Sequence, residues 1–242
     1  GTGTIIFDSA VGDATFTPCN FATEAHFNNV TFNSTGGTAQ VFTLVTRGIR
    51  WSATLTVTDT TATTELATGG LSMDGGSLTV GNSGILTANA SVVTVTGVTM
   101  TGGVSGVITV TTGAWVVSGN WNTSGAGSTY TQGTGIVTFN ATATITMLST
   151  DNTFDDLTIT PGALNTVTLA TNLVVTNALT ITTGTFAKVT FTFTLGSLTM
   201  DGGDLTSTSG AVTVSGAVNV SAAGSAIDFG SETWTVSGSW TN

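Results

Sequence analysis

Short runs of alternating apolar and hydroxyl residues recur along the whole chain. The clearest is VTFTFTL at Val189 to Leu195, and Leu55 to Thr58 and Leu179 to Thr182 show the same alternation. Such a period of two predicts a β-strand with one apolar face and one hydroxyl face. The runs are about four to six residues long, recur about every eight to twelve residues and end in Gly-rich turns, which predicts an all-β fold.

The chain is also an imperfect tandem repeat. Five segments of its first half return in the same order in its second half: GTGTIIF (1–7) as GTGIVTF (133–139), HFNNVTF (26–32) as TFDDLTI (153–159), TLVT (43–46) as TLAT (168–171), LSMDGG (71–76) as LTMDGG (198–203), and WVVSGNW (115–121) as WTVSGSW (234–240). We therefore predict two copies, residues 1–132 and 133–242, in one continuous solenoid. Because both ends are in register, a third copy or a second subunit is expected to continue the pattern.

Two architectures fit these patterns. In a parallel β-solenoid each short strand stacks on the strand one coil earlier, and coils of roughly 20 residues would give about a dozen coils. The alternative is two tandem immunoglobulin-like β-sandwiches of about 120 residues each, but such a sandwich has a buried Trp midway along its sequence. Here the recurrent tryptophans stand at the end of each copy and the strands are short, which favours the solenoid.

Composition supports a helix-free fold and an unusual surface. Only 7% of the residues are charged, and the chain has 57 Thr, 21 Ser and 32 Gly. Thr favours pleated backbone, whereas helix formers such as Lys, Glu and Gln are scarce, so we expect essentially no helix. Hydroxyl groups take the solvating role that charged side chains have in ordinary soluble domains.

The repeat motifs resemble a known class of bacterial proteins. Four motifs that follow one another carry the resemblance, and they lie in Gly133 to Phe139, Phe154 to Thr160, Val167 to Phe186 and Leu198 to Trp240. The first copy has weaker counterparts of them. It is similar to repeats of large secreted and cell-surface proteins grouped with parallel β-helix adhesins and autotransporter-type passenger regions. The resemblance implies a right-handed parallel β-helix outside the cell, serving as a stalk, sheath, fibre or adhesin, and it transfers no binding residue.

The supply of chemically active side chains argues against an enzyme. The chain has one His, one Cys and three basic residues, Arg47, Arg50 and Lys188. A Cys–His pair would need Cys19 and His26, and their simpler interpretation is a small buried apolar residue and an ordinary strand residue. A net charge of −10 disfavours nucleic acid as a partner, and no apolar run is long enough to span a membrane.

Carboxylates are the only abundant ionisable groups, and calcium is the metal that they suit. The candidate ligands are Asp74, Asp201, Asp204 and Asp155, all placed at expected turns. Asp155 and its neighbour Asp156 are expected to point to opposite faces of one strand, and Asp-Gly-Gly is most simply a tight turn. We therefore expect no cofactor, with structural calcium as a minor alternative.

These observations favour a non-enzymatic, extracellular or cell-surface structural protein whose main partner is itself. Stacking would occur head to tail, because each end of a solenoid exposes unpaired strand edges. The candidate packing residues are Trp115, Trp121, Trp234 and Trp240, and the alternative is that they are core aromatics within a coil.

Two binding functions remain open. Aromatic and acidic loop residues could bind cell-surface glycans, as in an adhesin module. Flat Thr arrays could bind ice, which requires Thr-x-Thr pairs on one face of successive coils. In the sequence those pairs, such as Thr94 and Thr96, look scattered.

Overall fold

The computed structural model describes residues 3–10, 12–17, 27–100 and 106–242. Over these residues the chain is all-β, without helix, and its parallel strands stack as a β-solenoid of about ten turns. The solenoid prediction is thereby confirmed. The sandwich alternative is wrong, because immunoglobulin-like sheets are antiparallel whereas the strand pairs here are parallel.

The strands of the first copy are three to nine residues long. They are β1 (Thr4–Asp8), β2 (Ala14–Phe16), β3 (Phe27–Asn33), β4 (Gln40–Leu44), β5 (Ile49–Val57), β6 (Thr64–Ala67), β7 (Met73–Val80), β8 (Gly84–Asn89), β9 (Val93–Met100), β10 (Val107–Val110), β11 (Trp115–Val117), β12 (Trp121–Thr123) and β13 (Thr129–Thr131).

The second copy repeats this succession. Its strands are β14 (Ile136–Phe139), β15 (Ala143–Met147), β16 (Thr153–Phe154), β17 (Asp156–Ile159), β18 (Thr166–Leu169), β19 (Leu173–Ile181), β20 (Thr185–Val189), β21 (Phe193–Met200), β22 (Asp204–Ser207), β23 (Ala211–Val214), β24 (Val218–Val220), β25 (Ala226–Asp228), β26 (Thr233–Val236) and β27 (Trp240–Thr241).

The chain forms two compact units. Unit 1 comprises Gly1–Trp115 and Asn122–Gly135, and unit 2 comprises Val116–Trp121 and Ile136–Asn242. Within each unit a strand pairs with its counterpart one turn later along the chain. The number of residues per turn varies: it is 28 between Ala14 and Phe42 in unit 1, for example, and 19 between Leu179 and Leu198 in unit 2. The longer turns explain why the chain makes about ten turns and not a dozen.

Apolar columns fill the interior of each unit. In unit 2, Leu157, Leu179, Leu198 and Val218 pair in succession and are buried. The alternating residues lie outside and form hydroxyl columns, such as Thr31, Thr56, Thr79 and Thr99 in unit 1. The period of two in the sequence therefore becomes a dry core and a hydroxyl-covered surface, because side chains alternate across a strand.

One predicted strand is wrong. Val189 to Leu195 reads as a single alternating strand, but β20 ends at Val189 and β21 begins at Phe193. Val189 has a φ of 60°, in the left-handed region, so the chain turns a corner there. The inward position before the corner belongs to Lys188, which is fully buried. A solenoid corner needs this break, which the alternation alone does not reveal.

The structure also separates the two Met-Asp-Gly-Gly segments. Asp74 lies inside β7 and pairs with Arg50 of β5, whereas Asp201 follows the end of β21 in a bend. The residues that occupy matching positions are Leu78 of β7 and Leu198 of β21, each one turn beyond its partner in β5 or β19. The Met-Asp-Gly-Gly match is therefore not a structural equivalence, and the tight turn expected at Asp74 is wrong.

Candidate functional site

An aromatic cluster lies at the last strands of unit 2. Phe229, Trp234 and Trp240 have ring centroids 5.2 to 6.1 Å apart. Phe229 is 43% exposed and Trp240 is 44% exposed, while Trp234 is half-buried. Among the described strands, β25, β26 and β27 each pair on one side, with β22, β23 and β24. The cluster thus lies at the open edge of the apolar columns, and we call it the C-terminal aromatic cluster.

The equivalent tryptophans of the first copy are buried. Trp115, in unit 1, and Trp121, in unit 2, are both 0% exposed. Within unit 2 the Trp121 ring lies 5.3 Å from Phe154 and 6.4 Å from Phe139, edge to face in both cases. The four tryptophans that the sequence singled out are therefore two buried core residues and two residues at an edge. The difference arises because a further turn of chain covers Trp121.

Within the residues that the structure describes, strand β1 is an edge strand of unit 1. It pairs with β3, Thr4 opposite Asn29 and Phe7 opposite Phe32. In copy 2 the equivalent β14 pairs with β17 in the same register, Ile136 opposite Asp156. Ile5 is 42% exposed, whereas its equivalent Val137 is buried. The inward face of β1 is therefore uncovered where the inward face of β14 is covered.

A buried ion pair lies at a corner of unit 2. Lys188 Nζ is 2.7 Å from a carboxylate oxygen of Glu232, and both side chains are fully buried. Lys188 Nζ also donates to the carbonyl oxygens of Phe191, at 2.6 Å, and Ser209, at 2.7 Å. The ammonium group therefore binds corners of three successive turns. Ser207 Oγ and Trp234 Nε1 donate to the same Glu232 carboxylate.

Sequence reasoning missed this network. In unit 1 the matching corner holds Thr68, also fully buried, whose hydroxyl bonds the carbonyl oxygen of Ala88 and lies 2.5 Å from Ser91 Oγ. A small hydroxyl thus has the role in one copy that a lysine has in the other. The one usable signal was Lys188 itself, the only cation of the second copy.

The candidate calcium ligands lie apart. Asp74 makes an exposed ion pair with Arg50 at 2.7 Å. Asp204 Oδ1 accepts a hydrogen bond from the backbone N–H of Ala226, one turn later. Among the described residues, no group of three or more His, Cys, Asp or Glu side chains is arranged to hold a metal ion.

Asp155 and Asp156 do not point to opposite faces, which corrects that expectation. A bend at Asp155 separates β16 from β17, so both side chains lie outside, between buried Phe154 and Leu157. Asp155 accepts a hydrogen bond from the Thr176 hydroxyl, and Asp156 accepts from Asn177 Nδ2 and from the backbone N–H of Ala178. These carboxylates join neighbouring turns.

Among the carboxylates that the structure describes, Asp59 accepts hydrogen bonds from the most groups. It is fully buried and accepts hydrogen bonds from the backbone N–H groups of Thr61, at 2.7 Å, and Ala62, and from the hydroxyls of Thr61 and Thr64. Burial raises the pKa of Asp59, and these hydrogen bonds outweigh burial and lower the pKa below its usual value. Asp59 therefore fixes a corner as an ionised acceptor.

Two residues considered for chemistry, Cys19 and His26, lie outside the described residues. Across the part of the chain that the structure describes, no helix has the length and apolar character needed to cross a membrane. Comparison with protein-family models, with curated proteins and with solved structures gives no significant match.

Proposed function

We propose that this protein is a non-enzymatic structural repeat protein of the cell exterior, which builds a fibre, sheath or adhesin shaft by end-to-end stacking of molecules. The observation that carries the proposal is the uncovered core at two edges. The C-terminal aromatic cluster and the inward face of β1 are exposed at positions whose equivalents in the other copy are buried. Exposed apolar surface next to unpaired strand edges favours addition of further strands.

The chemistry of the surface supports a structural role. Columns of Thr and acceptor carboxylates join neighbouring turns, as Glu65 joins Thr87 at 2.6 Å. Such contacts hold adjacent turns of the solenoid together. End-to-end contact of this kind uses different surfaces on the two molecules and does not close on itself, so it produces an open filament.

Sedimentation velocity and negative-stain electron microscopy of the purified 242-residue protein test the proposal. We expect concentration-dependent linear assemblies, and Trp240→Asp should shift the population to monomer because it places a charge in the contact. The matched control is Leu164→Asp, since Leu164 is 99% exposed in a loop of unit 2. A monomeric wild-type protein, or equal loss of assembly in both variants, contradicts the proposal.

The proposed location is tested separately. An antibody against the protein should label intact source cells. Labelling that appears only after permeabilisation would place the protein inside the cell and remove the extracellular role.

Ice binding is a second candidate because the Thr residues are more regular than the sequence indicated. Thr138, Thr158, Thr180 and Thr199 occupy one outward column in successive turns of unit 2. The neighbouring column on one side is mixed, with Ile136, Asp156, Ala178 and Ser197. On the other side, Thr160 and Thr182 follow the paired residues Ile159 and Ile181, so Thr158-x-Thr160 and Thr180-x-Thr182 repeat in two successive turns. Asn140 and Asp201 interrupt this second column in the turns before and after.

Thermal hysteresis of the purified protein decides this candidate. Ice binding predicts a measurable gap between the melting and freezing points that Thr180→Tyr reduces. A protein without hysteresis leaves the structural proposal as it is. Glycan binding, the other alternative, predicts retention of the protein on a glycan array.

A further inference from the structure

The interior of unit 2 contains a complete example of how a tryptophan at the end of a copy is covered. Trp121 packs against Phe139 and Phe154, whose rings lie 6.4 Å apart at an interplanar angle of 69°. The first copy holds the equivalent phenylalanine pair in unit 1. Phe7 and Phe27 lie 6.3 Å apart at an interplanar angle of 84°.

This pair occupies the same places in the repeat. GTGTIIF ends in Phe7 as GTGIVTF ends in Phe139, and HFNN contains Phe27 where TFDD contains Phe154. Phe7 and Phe27 are half-buried, whereas Phe139 and Phe154 are fully buried beside Trp121. Unit 1 therefore presents a phenylalanine pair with a spacing close to that of the pair beside Trp121. Phe16, at the position of Ile145 in unit 2, packs against this pair, 4.4 Å from Phe7 and 6.2 Å from Phe27.

Trp240 is the matching tryptophan. It ends WTVSGSW as Trp121 ends WVVSGNW, and it is 44% exposed where Trp121 is 0% exposed. Its described ring neighbours are Phe229 and Trp234, from its own unit. An aromatic ring gains both apolar burial and edge-to-face contact when it enters such a pair.

We propose that Trp240 of one molecule packs against Phe7 and Phe27 of a second molecule, so that β1 of the second molecule adds to β26 of the first. The proposal rests on the proposed end-to-end assembly and names its contact. Its occupant is a second copy of this chain, because the repeat places the two halves of an interior contact at separate exposed edges.

The interior contact also predicts the register. Within unit 2, the N–H of Asn140 donates to the carbonyl oxygen of Val117 at 3.2 Å. Elsewhere in unit 2, Thr182 N–H donates to the carbonyl oxygen of Ile159, and the residue before Thr182, Ile181, is the one that pairs with Ile159. By the same geometry Phe139, the residue before Asn140, lies opposite Val117. By the repeat, Phe7 of the second molecule lies opposite Val236 of the first. One residue earlier, Ile6 then lies opposite Thr235.

Ile6 and Thr235 suit a cross-linking test. Ile6 is 61% exposed and Thr235 is exposed, so neither belongs to the core. Neighbouring strands lie about 4.8 Å apart, within the Cα separation that a disulfide spans. The test protein carries Cys19→Ser with Ile6→Cys and Thr235→Cys. The matched control replaces Thr235→Cys with Thr233→Cys, which moves the thiol by two residues, about 7 Å along the strand.

Mild oxidation and non-reducing electrophoresis give the readout. We expect a ladder of covalent oligomers from the Ile6→Cys, Thr235→Cys protein, at a yield at least about tenfold above that of the control. In the parent protein, Trp240→Ala is expected to weaken association about tenfold or more, measured by sedimentation, because central aromatic anchors dominate such contacts. Circular dichroism should show unchanged β-structure in each variant.

The outcomes separate this contact from the broader proposal. Equal or absent cross-linking in both double-cysteine proteins, while sedimentation still shows linear assemblies, overturns the proposed register and leaves end-to-end assembly intact. Unchanged association of Trp240→Ala overturns the aromatic contact. A protein that stays monomeric at all concentrations overturns both proposals.

Discussion

At the scale of single residues, one buried lysine connects several turns. Lys188 binds the carbonyl oxygens of Phe191 and Ser209 and the carboxylate of Glu232, which lie in successive turns of unit 2. A buried charge is costly unless it is paired and hydrogen-bonded, and here the ammonium group has three acceptors. One lysine therefore joins three turns at a corner.

Replacing one member of the Lys188–Glu232 pair should lower the free energy of unfolding more than replacing both. Lys188→Met leaves Glu232 as a buried unpaired carboxylate, which typically destabilises a protein by about 3–5 kcal/mol. The double variant Lys188→Met, Glu232→Leu no longer has the unpaired carboxylate and should recover part of the stability that Lys188→Met loses. Urea unfolding followed by circular dichroism measures the stability of the single and the double variants. Additive losses from Lys188→Met and Glu232→Leu would show that the pair is not coupled.

Asp59 makes a pH-dependent contribution to stability. Because its folded-state pKa is depressed, its contribution is fully present above the unfolded pKa of about 3.9 and is lost as pH falls through the folded value. Asp59→Asn should lower stability by about 1 kcal/mol at neutral pH, since an amide oxygen is a weaker acceptor for the N–H groups of Thr61 and Ala62.

The thermal midpoints of wild type and Asp59→Asn, recorded between about pH 7 and about pH 3, test this direction. The gap between them should be constant above about pH 5 and should narrow progressively as the pH falls below about 4. A gap that is constant over this range would indicate a packing effect in place of an ionised acceptor.

At the scale of elements, close approach at the corners decides how turns stack. Gly196 and Gly216 occupy the same corner of unit 2 in successive turns, and Gly216 N–H donates to the carbonyl oxygen of Gly196 at 2.6 Å. A Cβ at Gly216 would also lie 2.6 Å from that oxygen. The Ser-Gly within WTVSGSW recurs at the next corner, at Gly238. Glycine is required there by the backbone of the previous turn.

Gly216→Ala is therefore expected to destabilise the protein by about 1–3 kcal/mol, because the backbones must move apart. Gly3→Ala is the matched control, since a Cβ at Gly3 meets nothing within 4 Å. Thermal unfolding compares the two. Equal midpoints for both variants would show that the corner tolerates a methyl group.

At the scale of the whole molecule, stability should depend little on salt. The chain has three basic residues, and its fully buried ion pair is shielded from mobile ions. Stacked apolar columns and parallel backbone hydrogen bonds supply the rest. We expect the thermal midpoint to move by less than about 2 °C between about 50 mM and about 500 mM NaCl. A large shift would show that surface charge has a greater role than the structure indicates.

The period of two, the turn residues and the repeat were enough to predict an all-β solenoid, because Thr, Val and Gly express their backbone preferences locally. Leu179 and Ile181 alternate with Thr180 in the sequence, and both are buried in the core at the end of β19, as predicted. These features depend on residues that are neighbours in the sequence, so they can be recognised without knowledge of the fold.

Tertiary structure alone decided where the turns have their corners and which residues meet across them. The alternation through Val189 to Leu195 conceals a corner, and identical Met-Asp-Gly-Gly segments stand at different positions in their turns. Likewise, Trp121 and Trp240 occupy the same position of the same motif, but Trp121 is buried and Trp240 is exposed. The physical reason is that corners, buried pairs and edges depend on contacts between residues about 20 positions apart, and local preference carries no record of them.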